Sequence, residues 1–130
     1  MARIVLVMHA PLASAFAECA RHVLGNKPNL VVFDVKPEEP PELLAPQLAS
    51  LLTNADQDGV LILCDIFGAT PFNIAQKALK LAAEQGTQGH VVTGANLCMV
   101  LKALADQNKT PDDLCECARL GALKGIVTAD

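Results

Sequence analysis

Residues Val60 to Asn73 read VLILCDIFGATPFN and pass in one step from the pattern of a buried strand to that of a helix opening. Val60 to Cys64 is apolar without interruption and ends on Asp65, as expected of a parallel strand covered on both faces whose charge marks where it leaves the core. Gly68 supplies a sharp turn and Thr70 a side-chain cap. Pro71 suits the first helical position, where its missing N–H would have had no intrahelical partner. The N–H groups that such a helix leaves unpaired, around Phe72 and Asn73, face the same rim as Asp65 and suit the turn to an anion. Taken alone, Asp65 reads more plainly as a carboxylate that caps its own turn, so other residues must decide.

The 130 residues are long enough for one domain with a real core. Just over half (52%) are apolar but only 3% aromatic, so helices rich in Ala and Leu must pack on strands rich in Val and Ile, which is α/β layering. The net charge of −4 is spread without a basic cluster, and no Trp or Tyr is available to stack bases; nucleic acid is therefore not an expected partner. The apolar run after Arg3 is interrupted by His9 and Pro11, too soon for a secretory signal, and no window approaches a membrane span. Five cysteines, an odd number in apolar or helical contexts, read as reduced thiols of a cytoplasmic protein. Cys115 and Cys117, two apart on a predicted helix, point in different directions, so neither a metal site nor a cofactor is expected.

Upstream, Arg3 to Met8 (RIVLVM) is a second short apolar run with the character of a central parallel strand, and it ends directly on His9. Ala10 and Pro11 break it. From Leu12 to Leu24 apolar residues recur at helical spacing, and Gly25 supplies the stop. Leu30 to Val35 reads as a strand, followed by a solvated acidic loop, KPEEPPE. In LLAPQLASLL, Pro46 argues for a helix that starts nearer Ala45 than Glu42. Asn54 to Gly59 reads as a polar turn. The helix from Pro71 runs to about Glu84 with Ile74, Ala75, Ala78, Leu79 and Ala82 on one face. His90 to Thr93 is a fourth strand, and Asn96 begins a helix reaching about Asp106. Thr110, Pro111 and Asp113 form a capping box for a last helix that Gly121 is expected to end. In the tail, Gly125 to Thr128 is apolar enough to add an edge strand.

Strands alternating with helices through right-handed crossovers give a parallel sheet covered on both faces. The expected fold is thus α/β, a three-layer sandwich whose four-stranded, mainly parallel sheet has the order 2-1-3-4, with the two most apolar strands central. His9 and Asp65 then stand at the carboxyl ends of that central pair, where open α/β sheets bind ligands. Each alone has a plain structural explanation; together they form a constellation. A carboxylate that accepts one imidazole N–H fixes the tautomer, leaves the other nitrogen nucleophilic and stabilises the ring cation formed on attack. A nearby helix opening can receive the oxygens of a transferred group. Phosphoryl transfer through a phosphohistidine uses all three parts. The chain has no nucleotide-binding glycine motif, so the donor is expected to be something other than bound ATP.

A histidine after the first strand, Asp65-Ile66-Phe67-Gly68-Ala69-Thr70-Pro71-Phe72-Asn73 after the third and Gly94-Ala95-Asn96-Leu97-Cys98-Met99 after the fourth resemble the mannose-type enzyme IIA proteins of the bacterial sugar phosphotransferase system. The resemblance covers essentially the whole chain as one domain, residues 1–130. It implies that His9 accepts a phosphoryl group from the histidine phosphocarrier protein and passes it to an enzyme IIB partner. Asp65 would orient His9, and Thr70 with the neighbouring groups of Gly68, Ala69, Phe72 and Asn73 would hold the phosphate. Ala10, Pro11, Leu12, Phe67, Asn96 and Met99 would form the rim on which partners dock, with Phe72 in the core. The family sheet order agrees with that expected here. Family members are dimers in which a C-terminal strand crosses to the partner, a role open to Gly125–Thr128. With no Ala/Pro-rich linker after the domain, the IIB partner is expected on a separate chain.

The chain departs from the family in carrying Ala10-Pro11 where glycine commonly follows the histidine, Ala69 for the second glycine of a Gly-Gly pair, and Cys98 where proline is common. Cys98 is expected to be a small buried filler rather than a redox group. His22 and His90 read as ordinary surface or packing residues. Two other functions remain: a regulatory module that signals through its phosphorylation state, and a phosphoryl donor related to dihydroxyacetone kinase. The latter expects a D-L-G-S-A type turn, which this chain lacks.

Overall fold

The computed structural model describes residues 1–53 and 58–130. Among the described residues nine elements follow one another: β1 (Arg3–His9), α1 (Leu12–Leu24), β2 (Leu30–Val35), α2 (Pro41–Leu52), β3 (Val60–Cys64), α3 (Thr70–Ala83), β4 (Gly89–Val92), α4 (Leu97–Ala105) and α5 (Pro111–Lys124). The four strands form one parallel sheet in the order β2-β1-β3-β4, as the alternation of strands and helices predicts. Residues 54–57 of the polar turn expected before β3 lie outside the described residues.

Alternation along the strands splits the core into two layers. Val5, Val7, Val60, Ile62 and Cys64 face α2 and α3, meeting Leu44, Leu48, Leu52, Ile74, Ala75 and Ala78. Ile4, Leu6, Met8, Leu61 and Leu63 face the other way, toward α1, α4 and α5. Both central strands are buried over their whole apolar runs, which is why those runs read as continuous rather than alternating.

Four local signals are overridden. α2 begins at Pro41 and carries Pro46 inside it, not at a start near Ala45. Pro46 removes one ladder bond, but burial of Leu44, Ala45, Leu48, Ala49 and Leu52 on the sheet offsets it, at about 1.5–3 kcal/mol for each large side chain against about 3 kcal/mol for an interior proline. α5 runs on through Gly121, where a Cβ would lie 2.7 Å from Cγ of Lys102; the glycine serves close approach of α4 and α5 rather than termination. α3 opens at Thr70 with Ala69 as its extended cap residue and no side-chain capping bond. Thr70 is therefore inside the helix, and Pro71 is second, because burial of Pro71 and Phe72 draws the first turn onto the core. Finally, Gly125–Thr128 forms no strand within this chain, and Ile126 and Val127 are 73% and 72% exposed. Of the box expected at Thr110, the side-chain cap forms, the hydroxyl oxygen accepting the N–H of Asp113 at 3.3 Å.

β4 begins tightly against β3: a Cβ on Gly89 would stand 2.5 Å from the carbonyl oxygen of Val60. That neighbour is backbone and cannot swing aside. Gly89→Ala is expected to destabilise the protein by about 1–3 kcal/mol through overpacking, read as a lower urea midpoint at unchanged slope. A midpoint equal to that of the parent would refute this close approach.

Candidate functional site

Parallel pairing brings the carboxyl ends of all four strands to one edge. β1 leads into α1 on one face, whereas its neighbour β3 leads into α3 on the other, so the chain diverges between them and leaves a crevice at their ends. The register sets Val7 beside Cys64, which places His9 and Asp65 just past the last paired positions. The Asp65 carboxylate reaches across, and its Oδ2 lies 2.7 Å from Nδ1 of His9 while also accepting the His9 backbone N–H at 3.2 Å. One oxygen thus anchors both the ring and its main chain.

The two partners differ in access: the His9 side chain is 47% exposed and that of Asp65 only 8%. Burial pushes the Asp65 carboxyl up, but the bonds it accepts from the His9 ring, the His9 backbone N–H and its own backbone N–H outweigh this and hold it below the ordinary carboxylate value. An ionised carboxylate only accepts, so in the neutral ring Nδ1 carries the proton and Nε2 the lone pair. The second oxygen, Oδ1, is buried without a hydrogen-bond partner. Behind the pair, burial and then the Asp65 charge push the Cys64 thiol up to about 12, so it stays neutral and unreactive.

The turn after Asp65 supplies the third part. Gly68 has φ +81° and an open side, the left-handed conformation that glycine adopts without strain. At the opening of α3, the N–H of Asn73 is already bonded to the Ala69 carbonyl at 3.0 Å. Contrary to expectation it is not free; the N–H groups without intrahelical partners are those of Ala69, Thr70 and Phe72. The exposed Asn73 side chain remains available. His9 continues the parity of Val5 and Val7, which face the α2/α3 layer, so the imidazole and this opening belong to the same side of the sheet.

The expected rim divides. Pro11 and Leu12 are exposed, Ala10 is half-buried with its N–H on the Val35 carbonyl at 2.9 Å, and the Ala10–Pro11 peptide is cis. Phe67 is 75% exposed, its ring 4.8 Å from that of buried Phe72. Met99, however, is buried in the core, and Asn96 is spent on structure: its Oδ1 accepts the Met99 N–H at 2.9 Å and its Nδ2 donates to the Ala122 carbonyl at 3.1 Å. These two hold α4 and α5 beneath the rim instead of lining it. Cys98 is exposed, not a buried filler, with its sulfur against Gly125; the glycine there leaves the thiol uncovered. His22 is exposed on α1, and His90 pairs with Asp112 at 2.5 Å, tying β4 to the first turn of α5. Sequence reasoning missed Asp34 and Ser14, which are bonded to each other at the α1 opening. The available signal was an acid closing an apolar strand, LVVFDV, the same pattern that singles out Asp65.

Residues 3–117 match a family model described as the PTS system fructose IIA component. Over 106 residues the chain is 33% identical to the sorbose-specific EIIA component of the PTS from Lacticaseibacillus casei, covering 81% of this chain and 73% of that protein. The mannose/sorbose-specific IIA subunit from Enterococcus faecalis superposes with a TM-score of 0.86 at 23% identity, over 99% of this chain and 95% of its own. The phosphotransferase system component EIIA from Streptococcus agalactiae gives 0.85 at 23% identity, over 98% and 97%. These two share the fold. With the family model spanning most of the chain, the protein belongs to the mannose-type EIIA family of phosphotransferase-system components.

Proposed function

We propose that the protein is a phosphohistidine carrier in sugar uptake, taking a phosphoryl group onto His9 from the histidine phosphocarrier protein and passing it to an enzyme IIB partner on a separate chain. The observation that carries this reading is the 2.7 Å bond from the His9 ring to the Asp65 carboxylate, with Nε2 left as the nucleophilic nitrogen. Nε2 attacks phosphorus as the bond to the donor histidine nitrogen breaks. The new P–N bond makes the His9 ring cationic, and the Asp65 carboxylate opposite Nδ1 stabilises that charge. The α3 opening, with Gly68, Ala69, Thr70, Phe72 and the Asn73 side chain, receives the phosphoryl oxygens through N–H groups and the positive helix end. In the second half-reaction the same bond breaks toward the IIB nucleophile, and the imidazole returns neutral. No cofactor enters this cycle.

Protein partners need an accessible acceptor and an apolar rim. Ile66 and Phe67, which follow Asp65 directly, are 56% and 75% exposed and would meet both donor and acceptor, together with Pro11 and Leu12. The reading includes a homodimer built by the tail: Ile126 and Val127 are exposed with no strand partner among the described residues, and β4 is an edge strand. Among the described residues no helix is long and apolar enough to cross a membrane, so contact with a membrane-bound transporter would pass through other subunits.

His9→Ala is expected to abolish labelling by the phosphorylated carrier, whereas His22→Ala and His90→Ala retain it; label persisting in the His9 variant would overturn the assignment. Asp65→Asn offers an amide that can donate to Nδ1 and move the ring proton to Nε2, so its phosphorylation rate should fall by about a hundredfold. The same carboxyl carries a pH signature. Because its folded pKa is depressed, its contribution to stability is full above the ordinary carboxylate value and disappears as pH falls through the folded value. The urea-midpoint gap between parent and Asp65→Asn should therefore narrow between about pH 5 and pH 2, and a gap that widens in acid would contradict this. Sizing the full chain beside one truncated before Gly125 tests the tail, since an unchanged dimer would remove strand exchange.

A further inference from the structure

α1 follows His9 after only Ala10 and Pro11, so its amino terminus opens at the same carboxyl edge of the sheet, a second positive helix end within three residues of the imidazole. Its own cap residue, Pro11, makes no side-chain capping bond. Asp34 of β2 does that work from the neighbouring strand: its Oδ1 accepts the N–H groups of Ala13 at 2.9 Å and Ser14 at 3.3 Å, and its Oδ2 accepts the Ser14 hydroxyl. Asp34 pairs in register with Met8, and Ala10 bonds to the Val35 carbonyl at 2.9 Å. The segment bearing His9 is thus fastened to β2 both before and after the imidazole.

We propose that Asp34 is a positioning residue for phosphoryl transfer, closing the α1 opening to the phosphoryl oxygens so that α3 receives them, and fixing the Ala10–Leu12 lip behind His9. This rests on the reading of His9 as the phosphoacceptor. A bare helix end carries about half a positive charge, and two such ends around one imidazole would compete for the same dianion. The side-chain oxygens of Asp34 occupy the donors of one of them. The competition is resolved before substrate arrives, and the phosphoryl group is held on the α2/α3 side, toward which His9 continues the strand parity. Asp34 touches neither the ring nor the transferred group in this account; it acts through α1.

The test compares parent, Asp34→Asn and Asp34→Ala in steady-state phosphorylation by the phosphorylated carrier, well below each Tm, with His9→Ala as the blank. Asparagine caps helices about as well as aspartate and should keep kcat within about threefold. Alanine should lower kcat by about tenfold or more, because the orientation of the transferred group is lost. Inorganic phosphate gives a readout that a purely structural role would not move. Titrated into the parent, it should leave the Ala13 and Ser14 amide resonances unshifted, and in Asp34→Ala it should shift them. Should the alanine variant not fold, Asp34→Ser replaces it, with a loss of at least about threefold expected because one acceptor remains. Parental kcat in the alanine or serine variant, an asparagine variant as slow as alanine, or Ala13 and Ser14 amides indifferent to phosphate in the alanine variant would overturn the role of Asp34. A parent protein not labelled at His9 would instead overturn the phosphocarrier reading, and this inference with it.

Discussion

The register between β1 and β3 is the constraint on which the site depends. Val7 lies opposite Cys64, and from there β1 runs two residues further to the His9 imidazole while the chain leaving β3 reaches the Asp65 carboxylate in one. A slip of one residue would send each side chain of the moved strand to the opposite face, removing Val5 and Val7 from one core layer and Ile4, Leu6 and Met8 from the other. The hydrophobic core therefore enforces the spacing of the two polar groups. No loop has to find the 2.7 Å contact by itself.

Charge is distributed around that contact with an economy that the fold makes possible. Asp65 is buried enough to be held rigidly, yet it receives enough N–H donors to remain ionised. Of the helices that follow His9 and Asp65, α1 is closed at its opening by a carboxylate from β2, whereas α3 has no side-chain cap. A helix that ends in solvent gains from a capping side chain, typically about 1 kcal/mol. Its omission at α3, where Ala69 stands in the cap position, leaves N–H groups open at the place where a phosphoryl group on Nε2 would need them. Cys64, one residue before Asp65, adds no competing nucleophile because burial keeps it protonated.

The corrections to the helix boundaries share one cause. Pro46, Gly121 and Thr70 are local punctuation, and each was outweighed by apolar side chains on the same helix that had a surface to cover. α2 could not give up Leu44 and Leu48, nor α5 Ala118 and Ala122. Propensity acts residue by residue, whereas burial is summed over a face. Met99 and Asn96 follow the same logic: their place in a motif at the carboxyl edge suggested the surface, but the first fills the core and the second has its amide consumed in joining α4 to α5.

The sequence by itself determined the layer architecture, the strand order and the identities of His9 and Asp65, because continuous apolar runs that each end on a polar residue can be satisfied only in a sheet buried on both faces. Which helix opening faces the imidazole, which ring nitrogen is left free and what closes the α1 end were decided only by the tertiary structure. Those depend on contacts between residues far apart in the chain, such as Asp34 with Ser14 and His9 with Asp65. Linear spacing gives the face to which a strand residue belongs but not the group it meets there, so an acid near the end of a strand looks the same whether it caps a helix or orients a histidine.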